Sequence, residues 1–484
     1  MSGKRLEARI EYDAFGPIQI PANCYWGAQT ARAKEHLFAC GWKFHTKLLE
    51  AFILVKKAAA LVNSDLGRFE PRIGTAIAQA CDEIISGQWR EQFIAEPLQS
   101  GTGAALNVNV NEVLANRAEE LLGGNVGEYK IVDPNMHVNL GQSTNDVFPT
   151  AMRLALLTSL KEFEPAILDL ERLLRRKALE FAKIVKPGRV HLRDSVPITL
   201  GQEFNAFGST VERSLKHLKE ASNCLFELNI GATHVGTGWD THPSYQARMV
   251  EKLSNLSKMR LKAGEDLVRL SQSMSDFVQL SSAMRQLALE LNKIANDLRL
   301  LNSGPTGGFA EIKLPPVLPT PSALLPDGLP EEVHPLLAES LNMVCFQIIG
   351  LDLANAFASQ AGQLEINPMG SLILQNLLQS VDLLKQCVFT FNQKCLAGIV
   401  ADSERCQQLL GLSGALFAAI SEQIGLEDAR ALLKMHDDNP ERLRKALLEG
   451  NVLSPGVVEK IFSQSYFTAC GIRPKPQDAM ESAS

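Results

Sequence analysis

The sequence predicts a helical protein built on helices unusually long for one compact core. Two observations carry this. From Glu265 to Ser303 there is no glycine or proline, and small or apolar residues recur at Leu267, Leu270, Met274, Phe277, Ser281, Met284, Ala288, Leu291, Ala295 and Leu298. That is strict alternation of three and four, the spacing of a helix–helix seam, and such a helix would run roughly 55–60 Å at its rise per residue. From Gly201 to Leu228, Phe204, Phe207, Val211, Leu215, Leu218, Leu225 and Leu228 fall on one face. Helices this long exceed what one small core covers. Their faces are expected to meet one another and other subunits, with Glu265–Ser303 dominating the contact. The alternative is a monomeric bundle.

The remaining elements follow in order. Met1 to about Gln142 mixes short helices with loops punctuated by glycine and proline. Thr150 to Lys186 reads as a long helix bent near Pro165. A proline-rich stretch, Pro315 to Pro335, interrupts the helices, and so long a loop in a compact helical protein is usually functional or disordered. Leu337 to Leu396 reads as two helices parted near Pro368. From about Val400 the helices shorten, with breaks at Asp437-Asp438-Asn439-Pro440 and Ser454-Pro455-Gly456. The tail after Arg473 is expected to fray.

Composition narrows the function classes. The chain has 484 residues, 45% of them hydrophobic, and no apolar run approaches the roughly 18 residues that would span a membrane. Met1 to Tyr12 is charged and lacks the apolar region of a signal peptide, so a cytoplasmic protein is expected. A net charge of -6 gives no electrostatic case for binding nucleic acid. Nine cysteines without a C-x-x-C pair read as reduced thiols, and no metal-ligand spacing stands out.

Four segments gather polar groups next to glycine or proline. Gln99 to Glu112 includes Thr102 and sets asparagines at 107, 109 and 111, where they cost helix propensity; it reads as a binding segment or as a capped helix start with solvated amides. Asp133 to Asp146 contains Asn135 and runs through Ser143-Thr144-Asn145 into a helix. Its N–H groups and hydroxyls suit an anion, or those residues merely cap the helix. Gly188 to Pro197 carries His191 beside Asp194, and either Asp194 or Glu365 would raise the basicity of a nearby imidazole. The proline-rich stretch is the fourth, a candidate lid.

Taken in order, these segments resemble the aspartase/fumarase superfamily, in its aspartate ammonia-lyase and class II fumarase branch. The resemblance runs from about Arg9 to Gly471. Its markers are Tyr25-Trp26-Gly27-Ala28-Gln29-Thr30, Asn111-Glu112-Val113-Leu114-Ala115-Asn116-Arg117, Gly141-Gln142-Ser143-Thr144-Asn145-Asp146 and Leu200-Gly201-Gln202-Glu203-Phe204. They continue with Gly231-Ala232-Thr233, Val235-Gly236-Thr237-Gly238, Ala295-Asn296-Asp297-Leu298-Arg299-Leu300 and Gly362-Gln363-Leu364-Glu365-Ile366-Asn367. Gln92-Phe93 and Gly362-Gln363 look more like aspartase, whereas Tyr25-Trp26-Gly27 and Thr241-His242-Pro243 look more like fumarase.

The resemblance implies an all-α subunit of three domains, here 1–142, 143–400 and 401–484, with a central five-helix bundle. Four such bundles make a twenty-helix core in a homotetramer whose active sites draw on three subunits. The reaction implied is elimination of ammonia or water from a small carboxylate, giving fumarate or a related alkene acid, with no cofactor, metal, nucleic acid or membrane involved. His191, paired with Glu365, serves the acid and leaving-group side. Ser143, Thr144 and Asn145 match the substrate-contacting triplet, Asn135 matches a second anion patch, and Thr102 joins them as a binding candidate.

The family's mobile loop carries a serine base and a substrate lysine, and here it is rewritten. In one register its two serine positions fall on Pro321 and Ser322; in the other they fall on Pro326 and Asp327. The usual base is proline in both. In the second register the lysine becomes Glu332 and an asparagine becomes His334. An anion where a cation should face a carboxylate replaces an attraction of several kcal/mol at about 4 Å with a repulsion. Ala104, Leu106 and Val190 also replace polar groups. The expectation is a lyase closest to aspartate ammonia-lyase but diverged in substrate, with Ser322, Asp327 or His334 as a new base. The alternatives are a silent paralogue with a binding or structural role, or a partner of an active relative.

Overall fold

The computed structural model describes residues 8–317, 334–412, 415–435, 440–450 and 452–462. The chain opens with the antiparallel hairpin β1 (Ala8–Asp13) and β2 (Gly16–Pro21), followed by α1 (Ala28–His36), α2 (Thr46–Asp65), α3 (Pro71–Ile85) and α4 (Ala104–Leu121). Next come α5 (Thr144–Glu180), the antiparallel hairpin β3 (Val185–Val190) and β4 (Arg193–Thr199), and α6 (Leu200–Ser222). β5 (Glu227–Leu228) pairs in parallel with β6 (Lys262–Ala263) across α7 (Tyr245–Ser257). Then come α8 (Leu267–Gln272), α9 (Ser275–Leu301), β7 (Ile312–Lys313), α10 (Leu336–Gln360), α11 (Gly370–Lys394) and β8 (Val400–Ala401), with β7 antiparallel to β8. Five short helices close the described chain: α12 (Ser403–Leu412), α13 (Ala415–Ile424), α14 (Leu426–Met435), α15 (Pro440–Glu449) and α16 (Pro455–Ile461). Among the described residues the fold is all-α in character, with strands confined to two-stranded pairs.

Two compact units emerge. One holds residues 1–165, 215–288 and 345–385; the other holds 166–214, 289–344 and 386–484. The expected division of Leu337–Leu396 is found as α10 and α11. α5 differs from expectation at both ends. It starts at Thr144 because a capping arrangement at Ser143 lets it, and it stops at Glu180 because Lys186 belongs to β3. It runs through Pro165 and at 37 residues is about 55 Å long.

The expected single helix over Glu265–Ser303 is two. Serines break it: Ser273 is extended (φ −99°, ψ 130°), and its hydroxyl accepts from the Ser275 N–H at 3.2 Å. Short hydroxyl side chains compete with the helix for backbone groups in this way. The seam itself is real but turned inward. Met284 and Leu291 are each 1% exposed within one chain, so this stripe is core rather than a contact between subunits. A second alternation of three and four lies exposed on α10, at Met343, Phe346, Gly350, Leu353 and Phe357. Among the described residues α10 is also the one helix long and apolar enough to cross a bilayer, with a mean hydropathy of 1.4. Its buried side instead carries polar links: Asp352 pairs with Arg285 at 2.7 Å, and Asn355 accepts from Asn376 and donates to Ser281.

The second unit has a buried ionic knot. Lys186, 1% exposed, contacts Glu203 at 2.8 Å and Glu311 at 2.7 Å, while Arg189 meets Glu311 at 2.8 Å and stacks on Phe309 at 4.0 Å. Glu311 is fully buried. The knot fixes the root of the β3–β4 hairpin against α6 and against the segment leading into β7. The short helices beyond have their own core of Ile420, Ala429, Leu443, Leu447, Val458 and Ile461. None of the eight described cysteines is in a disulfide.

Breaking a buried ion pair by removing one partner costs about 3–5 kcal/mol, whereas an exposed pair contributes under about 1 kcal/mol. Glu311→Leu should therefore lower the denaturant midpoint strongly, and Lys385→Ala, which removes a contact to Glu162 at 3.2 Å, should barely move it. Equal midpoints would refute the knot's role.

Candidate active site

The first polar segment is buried, not solvated. Gly103 sits in the left-handed region (φ 79°) ahead of α4, and any Cβ there would strike the Phe148 ring at 2.2 Å. Asn107, Asn109 and Asn111 are 5%, 0% and 3% exposed. Asn109 accepts from the N–H groups of Ile94 and Ala95 at 2.8 and 3.2 Å and donates to the Gln92 carbonyl at 3.0 Å. Glu112 accepts from the N–H groups of Gly27, Gln29 and Thr30, where the positive end of α1 favours an anion. These residues tie α4 to loops that would otherwise leave backbone groups unpaired.

The capping reading of the second segment holds. Ser143 caps α5: its hydroxyl accepts from the Asn145 N–H at 3.2 Å, and Asp146 reaches back to the Ser143 N–H at 2.9 Å. This is a capping box. Thr144 and Asn145 are thereby left to face a small pocket with Thr102, Ser271, Ile366 and Asn367. Behind them runs a buried relay. Lys56 Nζ donates to Asn139 Oδ1 at 2.9 Å; Asn107 Nδ2 donates to the same oxygen at 3.3 Å and to Thr144 Oγ1 at 3.2 Å. Because the Thr144 oxygen accepts from within, its proton is free to be donated into the pocket, as an anionic substrate requires.

Asp146 ties this helix head to a second loop. Its other oxygen accepts from the N–H groups of Gly231 and Thr233 at 3.0 and 3.1 Å. Burial pushes its carboxyl up to about 7, against the pull of those backbone donors and of Lys56. Burial likewise pushes the Lys56 ammonium down to about 7. Burial also lifts the Tyr245 phenol well above its usual range, with Asp146 adding to the effect.

The other expected site residues distribute as follows. Asn135 is exposed in a turn over Pro134–Val138, which Asp133 caps by accepting from the N–H groups of Asn135 and Met136 at 2.8 Å. Glu365 is exposed in the turn beside the pocket residue Ile366 and belongs to the first unit. His191 is exposed at the tip of the β3–β4 hairpin, with φ 55°, and belongs to the second. Among the described residues neither the His191 nor the Glu365 side chain has a hydrogen-bond partner within the chain. His334 is exposed just before α10. Ser322, Asp327, Pro321, Pro326 and Glu332 lie outside the described residues. No cluster of three or more metal-ligating side chains occurs among the described residues.

Lys56 and His234 were missed in the sequence, whereas Asn107 and Asn139 lie in two of its polar segments. Lys56 had a signal: Phe52, Lys56 and Ala60 share the apolar face of α2, so that lysine had to be buried. His234 had none. Its ring is exposed, with Nδ1 3.4 Å from Ser143 Oγ, and its carbonyl accepts from Asn145 Nδ2 at 2.7 Å.

A family profile described as lyase matches residues 16–350. The aspartate ammonia-lyase of Bacillus subtilis is 40% identical over 475 residues, 98% of this chain and 99% of its own. The class II fumarate hydratase of Thermosynechococcus vestitus is 39% identical over 454 residues, 94% of each chain. A solved structure, the fumarate lyase:delta crystallin from Brucella melitensis bound to cobalt, superposes with a TM-score of 0.89 at 38% identity, covering 94% of this chain and 98% of that one.

The paired shifts predict a pH dependence of stability. Asp146 holds its proton more tightly folded than unfolded, so its contribution falls as pH rises from the ordinary 3.8 through about 7. Lys56 sheds its proton first in the folded chain, so its contribution rises from about 7 towards the ordinary 10.5. Lys56→Met should therefore flatten the alkaline rise, read as denaturation midpoints between about pH 7 and pH 9. An identical slope in both proteins would mean that Lys56 stays charged in the fold.

Proposed function

This chain belongs to the aspartase/fumarase superfamily of lyases, and we propose that it is a diverged member of the aspartate ammonia-lyase branch. It eliminates an amine, or alternatively water, from a small carboxylate to leave an alkene acid. The observation that carries the reading is the head of α5, where Thr144 is held as a donor facing a pocket by the Lys56–Asn139–Asn107 relay. A preorganised donor of this kind stabilises the charge that grows on a carboxylate as the neighbouring carbon loses its proton. Relatives named aspartate ammonia-lyase and class II fumarate hydratase support the reaction class. The rewritten loop argues for a substrate other than unmodified aspartate or malate.

The working form is a homotetramer whose sites are completed across subunits. Two features support this. The exposed α10 seam, with Phe346 57% and Phe357 61% exposed, has the spacing of a helix-packing face and lacks a cover within the chain. His191 and Glu365 stand exposed without partners among the described residues of their own chain. In the assembly His191, oriented by Glu365, serves the leaving group, and Asn135 belongs to a separate anion patch.

Light scattering should give a mass about four times the 53.0 kDa of one chain, and Phe357→Glu should reduce it, because a charge would be buried unpaired. A single-chain mass for the unaltered protein would end this proposal. An assay at high enzyme concentration, following alkene absorbance with aspartate, malate and N-substituted aspartates, tests the activity. Turnover is expected with a substituted substrate, and His191→Ala should slow it by about 10²-fold with the mass unchanged. Ordinary rates, roughly 10 s⁻¹ or more, on aspartate or malate would contradict the divergence. No turnover on the whole panel would favour a silent paralogue.

A further inference from the structure

The loop after β5 departs from ordinary backbone at five residues in ten. Gly231 (φ 87°), Thr233 (56°), Gly236 (93°), Gly238 (68°) and Asp240 (65°) all lie in the left-handed region. Thr233 and Asp240 carry side chains there, and such conformations persist only where the surroundings over-determine them. The surroundings do so here. Asp146 binds the N–H groups of Gly231 and Thr233, Asn145 binds the His234 carbonyl, and the N–H groups of Gly236 and Gly238 both donate to the Ala232 carbonyl, at 3.2 and 3.0 Å. A Cβ at Gly236 would lie 2.4 Å from Val268 Cα, so only glycine lets the loop dock. This construction holds one exposed imidazole, His234, beside the hydroxyl of the cap residue Ser143.

We propose that His234 is the proton acceptor of this site. The inference rests on the lyase reading and deepens it. Ser143 Oγ already accepts from the Asn145 N–H, and His234 Nδ1 lies 3.4 Å from the same oxygen, a contact in which we assign Nδ1–H as the donor. That bond selects the tautomer whose Nε2 keeps its lone pair on the exposed side of the ring. It leaves the Ser143 proton free to be donated to a substrate carboxylate. The proline-rich stretch has proline where the resemblance expects a serine base, in either register, so the usual base is absent. An exposed imidazole with an accessible ring nitrogen suits that task.

The step balances within the substrate. Nε2 takes the proton from the carbon beside the bound carboxylate. The C–H electron pair becomes the second carbon–carbon bond, and the protonated amine on the adjacent carbon leaves with the C–N pair as a neutral amine. The imidazolium then returns its proton to solvent. The substrate class is a carboxylate with an amine one carbon beyond the acidic C–H.

The test uses the full chain and its variants His234→Ala and His234→Gln, assayed with aspartate and N-substituted aspartates, with mass by light scattering as the control for assembly. His234→Ala should lose about 10²-fold or more in kcat with KM little changed, and added free imidazole should restore part of the rate. His234→Gln, which keeps hydrogen bonding but cannot accept the proton, should stay slow. An unaltered protein that turns over while His234→Ala stays within threefold of it overturns the role of His234 and leaves the lyase reading standing. A slow His234→Ala that imidazole does not restore, with His234→Gln near the unaltered rate, overturns it too, by making the ring a spacer. An unaltered protein inactive on every substrate overturns both.

Discussion

One buried carboxylate carries the geometry of this site. Asp146 accepts three backbone N–H groups, from Ser143, Gly231 and Thr233, and so joins the head of α5 to the loop after β5. Without it both segments would have buried donors unsatisfied, each at a cost of about 1–3 kcal/mol. The same bonds set the first turn of α5, present Thr144 and Asn145 to the pocket, and bring His234 to Ser143. Lys56 lies close enough to oppose the charge on Asp146 while its own hydrogen bond goes to Asn139. The polar site is thus supported from beneath by buried titratable groups rather than by solvent.

The parts of the fold governed by periodicity were readable in advance. The stripe Leu270 to Leu298 and the stripe Phe204 to Leu218 are buried as their spacing requires, but α6 ends at Ser222, short of the expected Leu228, and Leu225 and Leu228 are buried from a 3-10 turn and from β5. Periodicity could not say what each stripe packs against. A seam buried within one chain and an exposed one have the same spacing, and the exposed one is Met343 to Phe357 on α10. The break at Ser273 needed serine side-chain chemistry to outweigh an otherwise uninterrupted apolar pattern.

The site was readable where capping chemistry or a family motif marks it. Ser143-Thr144-Asn145-Asp146 announces a helix start, and the structure caps α5 there while Thr144 and Asn145 line a pocket. The alternating asparagines at 107, 109 and 111 read either as a binding segment or as solvated amides, because the partners of Asn107 and Asn109, the Asn139 side chain and the backbone of residues 92–95, lie in loops without a pattern. His234 gave no signal because its position follows from five left-handed residues and a docking glycine, none of which periodicity detects. His191 stood out beside Asp194, its pairing with Glu365 came from the resemblance, and the described chain leaves both exposed.

The central claim is that the head of α5 binds a carboxylate. A crystal structure grown with succinate, a dicarboxylate that has no leaving group, measures this directly. The account predicts a carboxylate about 3 Å from Thr144 Oγ1 and Ser143 Oγ, with the His234 imidazole alongside. Succinate bound only elsewhere, with the head of α5 unfilled and His234 turned away from Ser143, would contradict it.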